Sequence, residues 1–271
     1  MATVQHAWSL YKNWADLTED AIKQWADPSQ QYVYSSIKDY PLMRFSTAFA
    51  CVIGYLLFVF VGTLIMKRGN VTPFNTRGFQ FIYNPIQVAL CSYMCIETAI
   101  LLVKNDSKII CTAYDAKSPV FDNVIYTFYA SKLLDFMDTV FIIAGKKWKQ
   151  LSFLHVYHHS TVFMLYWLNA NAAYDGDMYV TVLLNAAIHF IMYTYYFVSY
   201  HTKNIWWKKY LTAMQIIQFM LMNAHAITLY TKGCSETPKN IIWNYFCFVI
   251  TMLVLFGNFY TVNYIIKKKT V

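Results

Sequence analysis

Charge is scarce in this chain. Only 13% of its 271 residues are Asp, Glu, Lys or Arg, while 58% are hydrophobic. A soluble domain carries roughly a quarter charged residues, so an extensive water-facing surface is excluded. The apolar residues form long blocks rather than a stripe along one helical face, the pattern of helices whose solvent is lipid. Internal repeats, low-complexity tracts and composition shifts that would mark a second domain are missing. The first forty residues also lack the short apolar core and small-residue site of a cleavable leader. They are polar and aromatic instead, with Trp8, Trp14, Asp16, Glu19, Asp20, Trp25 and Asp27. The chain reads as a membrane-surface segment (1–44), one membrane domain (45–266) and a basic tail (267–271).

Seven apolar blocks stand out, at 45–66, 79–103, 120–145, 151–172, 178–200, 209–231 and 241–266. Each supplies the ~20 residues that cross ~30 Å of hydrocarbon as a helix. The expected fold is an all-α integral membrane protein of seven spans. Alternate loops hold Lys67, Arg68 and Arg77, then Lys146, Lys147 and Lys149, then Lys203, Lys208 and Lys209, then the tail lysines. The intervening loops hold Asp106, Asp115, Asp175, Asp177 and Glu236. The positive-inside rule makes the basic side cytoplasmic, with the N-terminus in a lumen and the C-terminus in the cytoplasm. Asn105-Asp106-Ser107 is a glycosylation sequon on the lumenal side, and Asn70-Val71-Thr72 is one on the other. Cys111 and Cys234 both fall in lumenal loops, where they form either a disulfide or two free thiols. Lys268 and Lys269 look like a dilysine retrieval signal of the endoplasmic reticulum, although a plain positive-inside tail accounts for the same residues.

Ionisable groups inside spans cost a few kcal/mol each, so those present are functional candidates. Span 3 carries Lys132, Asp135, Asp138 and Thr139; Lys132 and Asp135 share a helical face and can pair. Span 4 carries His155, His158 and His159, at i, i+3 and i+4. Span 5 presents Asn185, His189, Tyr193 and Tyr196 as one stripe, and span 6 presents Gln215, Gln218, Met222 and His225. Span 2 adds Glu97 and Pro85. Each alone reads equally well as an interhelical hydrogen-bond partner. Four consecutive spans with polar stripes imply a polar or water-lined interior.

Clustered imidazoles suit either a metal or acyl chemistry. A di-iron site of the membrane desaturase type needs about eight histidines from several boxes; this chain has seven in all, with His6 and His201 outside the cluster. A single-metal site stays open, but no metal is the preferred reading. Nucleophilic catalysis fits better, because a buried neutral imidazole attacks thioesters without prior deprotonation. Lys146, Lys147, Lys149, Lys203, Lys208 and Lys209 would then hold the phosphates of a carrier at the cytoplasmic face; simple membrane anchoring is the plainer role for the same lysines.

These residues also match a known pattern. Lys132-Leu-Leu-Asp135-Phe-Met-Asp138-Thr139 resembles K-x-x-[ED]-x-x-D-T, and His155-Val-Tyr-His158-His159 resembles a histidine box. Asn185 to Tyr196 fits N-x-x-H-x-x-M-Y-x-Y-Y, and Thr212 to Gln218 fits T-x-x-Q-x-x-Q. In this order, across residues 130–220, the set resembles the very-long-chain fatty acid elongase (ELO) family, the 3-ketoacyl-CoA synthases of the endoplasmic reticulum. Position 135 is Asp where many members have Glu. The segment 150–159 looks like the subgroup that extends polyunsaturated chains, notably the delta-6 type. The resemblance implies a helical barrel of spans 2–7 around a narrow acyl tunnel closed toward the lumen. It implies condensation of acyl-CoA with malonyl-CoA and loss of carbon dioxide, with no tightly bound cofactor. Reductases and a dehydratase would be partners, beside membrane lipid and a second copy of the chain; no nucleic acid is expected. His158 is the expected nucleophile, with His189 opposite, His159 as its competitor, and His155 and Asp138 orienting the ring. Asn185, Tyr193 and Gln218 are expected donors to the developing enolate. A receptor and a proton-relaying transporter are the alternatives from other classes. Against a receptor, Asn84-Pro85 lacks the tyrosine that would complete NPxxY; against a transporter, the spans show no inverted repeat.

Overall fold

A computed structural model describes residues 2–29, 37–112, 119–172 and 176–266. Among these residues the regular structure is helical, with no strand. Helix α1 (Ala2–Ala26) precedes α2 (Phe45–Arg68) and α3 (Arg77–Lys104). Then come α4 (Asp122–Leu134), α5 (Phe136–Ala144), α6 (Phe153–Ala172), α7 (Tyr179–Val198), α8 (Leu211–Lys232) and α9 (Lys239–Tyr260). A π-helical turn, Thr261–Ile266, continues α9.

Neighbouring helices close into a ring. α3 packs on α4, α4 on α6, α6 on α9, α9 on α8, α8 on α7, and α7 returns to α3. Helix α2 stands outside against α5 and α6. Helix α1 crosses the first ends of α2 and α9, where Glu19 Oε2 accepts from the Phe45 amide at 2.8 Å and Asn240 donates to the Trp25 carbonyl at 2.7 Å. Polarity is inverted relative to a soluble bundle. Leu57, Phe60, Ile82, Ile96, Val103 and Met220 are exposed on the outside, while Gln87, Lys132, Asp135, Asn185, His189 and Gln218 are buried within. Such a surface is stable only when its solvent is lipid, and the chain is a membrane-embedded protein.

Four helices among the described residues are long and apolar enough to cross a membrane by length and composition: Phe45–Arg68, Arg77–Lys104, Tyr179–Val198 and Lys239–Ile266. The apolar blocks predict seven. The difference has a physical source. The third block, 120–145, is not continuous but breaks into α4 and α5 at Asp135. Helices α6 and α8 carry the histidines, asparagines and glutamines of the interior, which lower their hydropathy.

One end of the ring is fastened by two segments. At the first, the Pro41 and Leu42 carbonyls accept from Tyr126 and Tyr129 of α4, at 3.1 and 2.9 Å. The Met43 carbonyl accepts from Trp167 and Asn171 of α6, at 2.8 and 3.2 Å. At the second, Tyr179 donates to the Lys108 carbonyl, Asp177 accepts the Thr112 amide at 3.0 Å, and His225 meets the Ile109 carbonyl at 3.0 Å. Cys111 and Cys234 are joined in a disulfide. Loop carbonyls so close to hydrocarbon need these donors, because unpaired they would be costly. The dilysine tail, Lys268 and Lys269, lies outside the described residues.

The disulfide links positions 123 residues apart, and bridges of this kind contribute about 2–5 kcal/mol. Cys234→Ser is expected to lower the thermal midpoint of the detergent-solubilised protein and to expose the segment around Cys111 to protease. Differential scanning fluorimetry and limited proteolysis read both effects.

Candidate active site

The interior is organised by a buried ion pair. Lys132 and Asp135 are 3% and 2% exposed, and Lys132 Nζ lies 3.1 Å from Asp135 Oδ2. Their separation of three residues places both on one face at the end of α4. Removing two charges from water costs several kcal/mol per ion, which is offset only if the remaining valences are filled. They are. Gln87 of α3 donates to Asp135 Oδ1 at 2.9 Å, and Tyr193 of α7 approaches the same oxygen at 3.3 Å. Lys132 also reaches Asn185 Oδ1 of α7 at 3.4 Å and lies over the Phe128 ring at 4.3 Å. Tyr83 accepts from Gln87 at 2.7 Å and donates to the Leu134 carbonyl at 3.1 Å, at the helix break.

The residues after the break divide between two sets of partners. Asp138, expected to serve the histidine box, instead accepts from Tyr193 at 2.8 Å. Thr139 takes the place beside the box, 2.8 Å from His155 Nε2. Tyr55 of α2 lies 3.1 Å from the same threonine oxygen. Tyr193 has one proton to give, and its shortest acceptor is Asp138. Of the expected donors, Tyr193 is therefore already engaged, and Gln218 donates to Met222 Sδ at 3.3 Å. Asn185 keeps its amide nitrogen free of described partners, since only its oxygen receives Lys132.

The four interior histidines differ in environment. His189 Nδ1 sits 2.9 Å from the Asn185 carbonyl, which can only accept. The neutral ring therefore carries its proton on Nδ1 and presents the Nε2 lone pair. His155 is tied to Thr139. His159 is 7% exposed, packs 4.4 Å from the His155 ring, and encloses an unpartnered Nδ1. His158 lies 5.1 Å from His159, is only half-buried, and its ring makes no hydrogen bond with the described residues. It stands within electrostatic reach of His189, Lys132 and Asp135. Among the described residues no three histidine, cysteine or acidic side chains converge as a metal-ligand set.

At the opposite end from the fastened loops, a polar pocket of about 520 Å³ is lined by Arg77, Gln80, Lys147, Tyr200, His201 and Lys203, among others. Gln80 Oε1 accepts from Tyr200 at 2.7 Å and from Lys147 at 3.4 Å. Partial burial, with the neighbouring Arg77 guanidinium, pushes the Lys147 ammonium below its ordinary pKa. Of the six expected phosphate-binding lysines, Lys147 and Lys203 line this pocket. Lys146 and Lys149 lie in the loop before α6 and Lys208 stands over the Tyr195 ring at 6.0 Å; none of these three lines it. The side chain of Lys209 lies outside the described residues.

Some stripe residues do not join the site. His225 turns to the fastened end, at Ile109. Gln215 reaches only Met192 Sδ, at 3.9 Å. Tyr196 is 38% exposed, with its ring 5.9 Å from Tyr193. Conversely, Gln87, Tyr83, Tyr55, Arg77 and Gln80 were not singled out from sequence. Gln87 had a readable signal, a polar side chain inside an apolar block; the tyrosines were hidden among 23 of their kind.

Residues 40–271 match the GNS1/SUR4 (ELO) family. The chain belongs to the ELO family. It is 34% identical over 230 residues to mouse very long chain fatty acid elongase 2, covering 82% of this chain and 77% of that protein. It is 37% identical to human very long chain fatty acid elongase 4 over 224 residues, 79% of this chain and 70% of the relative. Elongase 5 of the catfish Tachysurus fulvidraco is 34% identical over 222 residues, 79% and 74% of the two chains. The ELO match thus contains every helix of the ring and both fastening segments.

The ion pair supplies a stability test within this ELO chain. Lys132→Met leaves Asp135 buried and unpaired, at a cost of about 3–5 kcal/mol. Folded yield in detergent is expected to fall sharply. The double variant Lys132→Met with Asp135→Asn removes both charges and is expected to recover much of that yield. Size-exclusion profiles of the solubilised variants measure the difference.

Proposed function

We propose that this chain is the condensing enzyme of fatty acid elongation, a very-long-chain 3-oxoacyl-CoA synthase that joins two carbons of malonyl-CoA to a long acyl-CoA. The observation that carries the reading to a mechanism is the contrast among the imidazoles. His158 alone of the box is partly exposed and free of described partners at both nitrogens, and His189, within electrostatic reach, offers a free Nε2. A group that must accept an acyl carbon cannot have its lone pair occupied.

In the proposed cycle a His158 ring nitrogen attacks the acyl thioester carbonyl. The carbon–sulfur bond breaks, the imidazole proton passes through His189 Nε2 to the departing sulfur, and CoA leaves as the thiol. Malonyl-CoA then loses carbon dioxide, and the electron pair of the broken bond becomes an enolate. That carbon attacks the acyl-imidazole, the carbon–nitrogen bond breaks, the departing ring nitrogen takes a proton from water by way of His189, and 3-ketoacyl-CoA leaves His158 regenerated. Asn185 is placed to donate to the enolate oxygen. Such preorganised donors are typically worth a few kcal/mol in the transition state. Lys132, Asp135, Gln87 and Tyr193 hold this donor in place.

The proposed topology has seven spans, with α4 and α5 acting as one interrupted crossing. Spans two to seven form the ring around an acyl tunnel. The fastened end faces the lumen of the endoplasmic reticulum, in an oxidising compartment that suits Cys111–Cys234. The pocket of Arg77, Lys147 and Lys203 then opens to the cytoplasm and takes the CoA phosphates. A phosphate beside Lys147 favours its charged form, opposing the effect of burial and of Arg77. The likeness of residues 150–159 to the delta-6-type subgroup carries a preference for polyunsaturated acyl chains. Reductases and a dehydratase would complete each cycle, and a homodimer is the proposed assembly.

Microsomes bearing the chain are expected to incorporate labelled malonyl-CoA into acyl chains, and to make most product from polyunsaturated acyl-CoA in a substrate panel. His158→Ala is expected to abolish incorporation and the acyl adduct detectable by mass spectrometry; normal turnover in that variant would reject the mechanism. Arg77→Ala and Lys147→Ala are expected to raise KM for acyl-CoA several-fold with little change in kcat.

A further inference from the structure

Helix α2 lies outside the ring, yet one of its side chains reaches the histidine box. Tyr55 is 5% exposed, and its ring stacks on Phe136 with centroids 4.2 Å apart. Its hydroxyl has one described partner, Thr139 Oγ1 at 3.1 Å. Thr139 is fully buried and is itself 2.8 Å from His155 Nε2. Helical threonines in this chain commonly donate back to the carbonyl one turn earlier, as Thr98 does to Met94, Thr127 to Asn123 and Thr161 to Tyr157. That local bond is the default in a helix interior. Thr139 departs from it: its turn starts at the Asp135 break, where the Asp135 carbonyl receives the Asp138 amide at 3.2 Å.

We infer that Tyr55 is a positioning residue of the condensation site, setting the orientation and tautomer of His155 through Thr139. Tyr55 has no other described acceptor, so its proton goes to Thr139 Oγ1. The Thr139 proton is then left for His155 Nε2, which must present a lone pair, and His155 carries its own proton on Nδ1. With its tautomer and rotamer fixed, His155 packs against His159, and His159 against His158, at ring separations of 4.4 and 5.1 Å. A histidine acting in a metal or acyl site commonly has its ring set by such a partner on the far nitrogen. Helix α2 is thereby coupled to the chemistry although it contributes no group to the reacting atoms.

The inference rests on the condensing reading, and the experiment separates the two. Wild-type chain, Tyr55→Phe, Thr139→Val, Thr139→Ser and the Tyr55→Phe/Thr139→Val double variant are compared for kcat, KM and thermal midpoint. CoA release from acyl-CoA without malonyl-CoA is followed in each. Phenylalanine keeps the stack on Phe136 and removes only the hydroxyl. Tyr55→Phe is expected to lower kcat and the CoA-release rate about tenfold, with KM for both substrates and the thermal midpoint near wild type. Thr139→Ser is expected to retain most activity, and the double variant to be no slower than Thr139→Val, because the two act as one unit. A wild-type kcat in Tyr55→Phe, or losses that multiply in the double variant, would overturn the inference. A rise in KM or a fallen midpoint that accounts for the loss would do the same, assigning Tyr55 to packing. A wild-type chain that incorporates no malonyl carbon would instead refute the condensing reading itself.

Discussion

The buried pair Lys132–Asp135 is the constraint on which the interior depends. Neither charge is stable in this setting unless every remaining valence is filled. The groups that fill them come from different helices: Gln87 from α3, Asn185 and Tyr193 from α7, and the pair itself from the end of α4. Satisfying one ion pair therefore fixes the mutual register of three ring helices. A fully satisfied polar network in a low-dielectric interior rigidifies what it joins, and a partly satisfied one would be worse than none. Asn185 belongs to that network and its carbonyl also orients His189, so the rigidity passes directly into the site.

The helix break at Asp135 lies within this network. A continuous helix would keep Asp135, Asp138 and Thr139 on neighbouring faces at fixed ~100° steps. Asp135 keeps helical angles at the break, φ −61° and ψ −19°, so Asp135 and Asp138, three residues apart, both face Tyr193, while Thr139, one step on, faces His155. The motif K-x-x-D-x-x-D-T thus contains three separate assignments within eight residues. One closes a charge, one fixes a tyrosine, and one meets an imidazole.

The polar stripes were legible in the sequence because they obey a helical period, and the apolar blocks because each has the length of a bilayer crossing. Lys132 with Asp135, and Asn185 with His189, could be placed on common faces from spacing alone. Loop charge put Cys111 and Cys234 on one side of the bundle, where the structure joins them. What stayed hidden concerns direction. Asp138 and Thr139 are adjacent, and no spacing rule says which faces the histidines once the helix is broken. Gln215, Gln218 and His225 lie on one stripe, but α8 meets α7 along part of its length and a loop along the rest, so the stripe serves two ends of the molecule. Four of the seven blocks are helices of spanning length and composition; the third is broken at Asp135, and the fourth and sixth carry polar side chains that the interior needs. Arg77 and Lys203 are far apart in sequence and meet only because α3 and α7 pack side by side.

The two ends of the ring impose a direction on any ligand with a charged head and an apolar tail. One end is fastened by hydrogen bonds to the Pro41, Leu42 and Met43 carbonyls and by a disulfide. The other carries Arg77, Lys147 and Lys203 around a polar pocket. An anionic head is held where the cations are, so the tail must run toward the fastened end. His158 lies five residues into α6 from the basic loop, and His189 nine residues from the corresponding end of α7. At 1.5 Å per residue these depths are about 8 and 14 Å, close to one another and well short of the far end. In the proposed reaction the thioester joins head to tail, and the depth of the histidines is where it would meet a nucleophile.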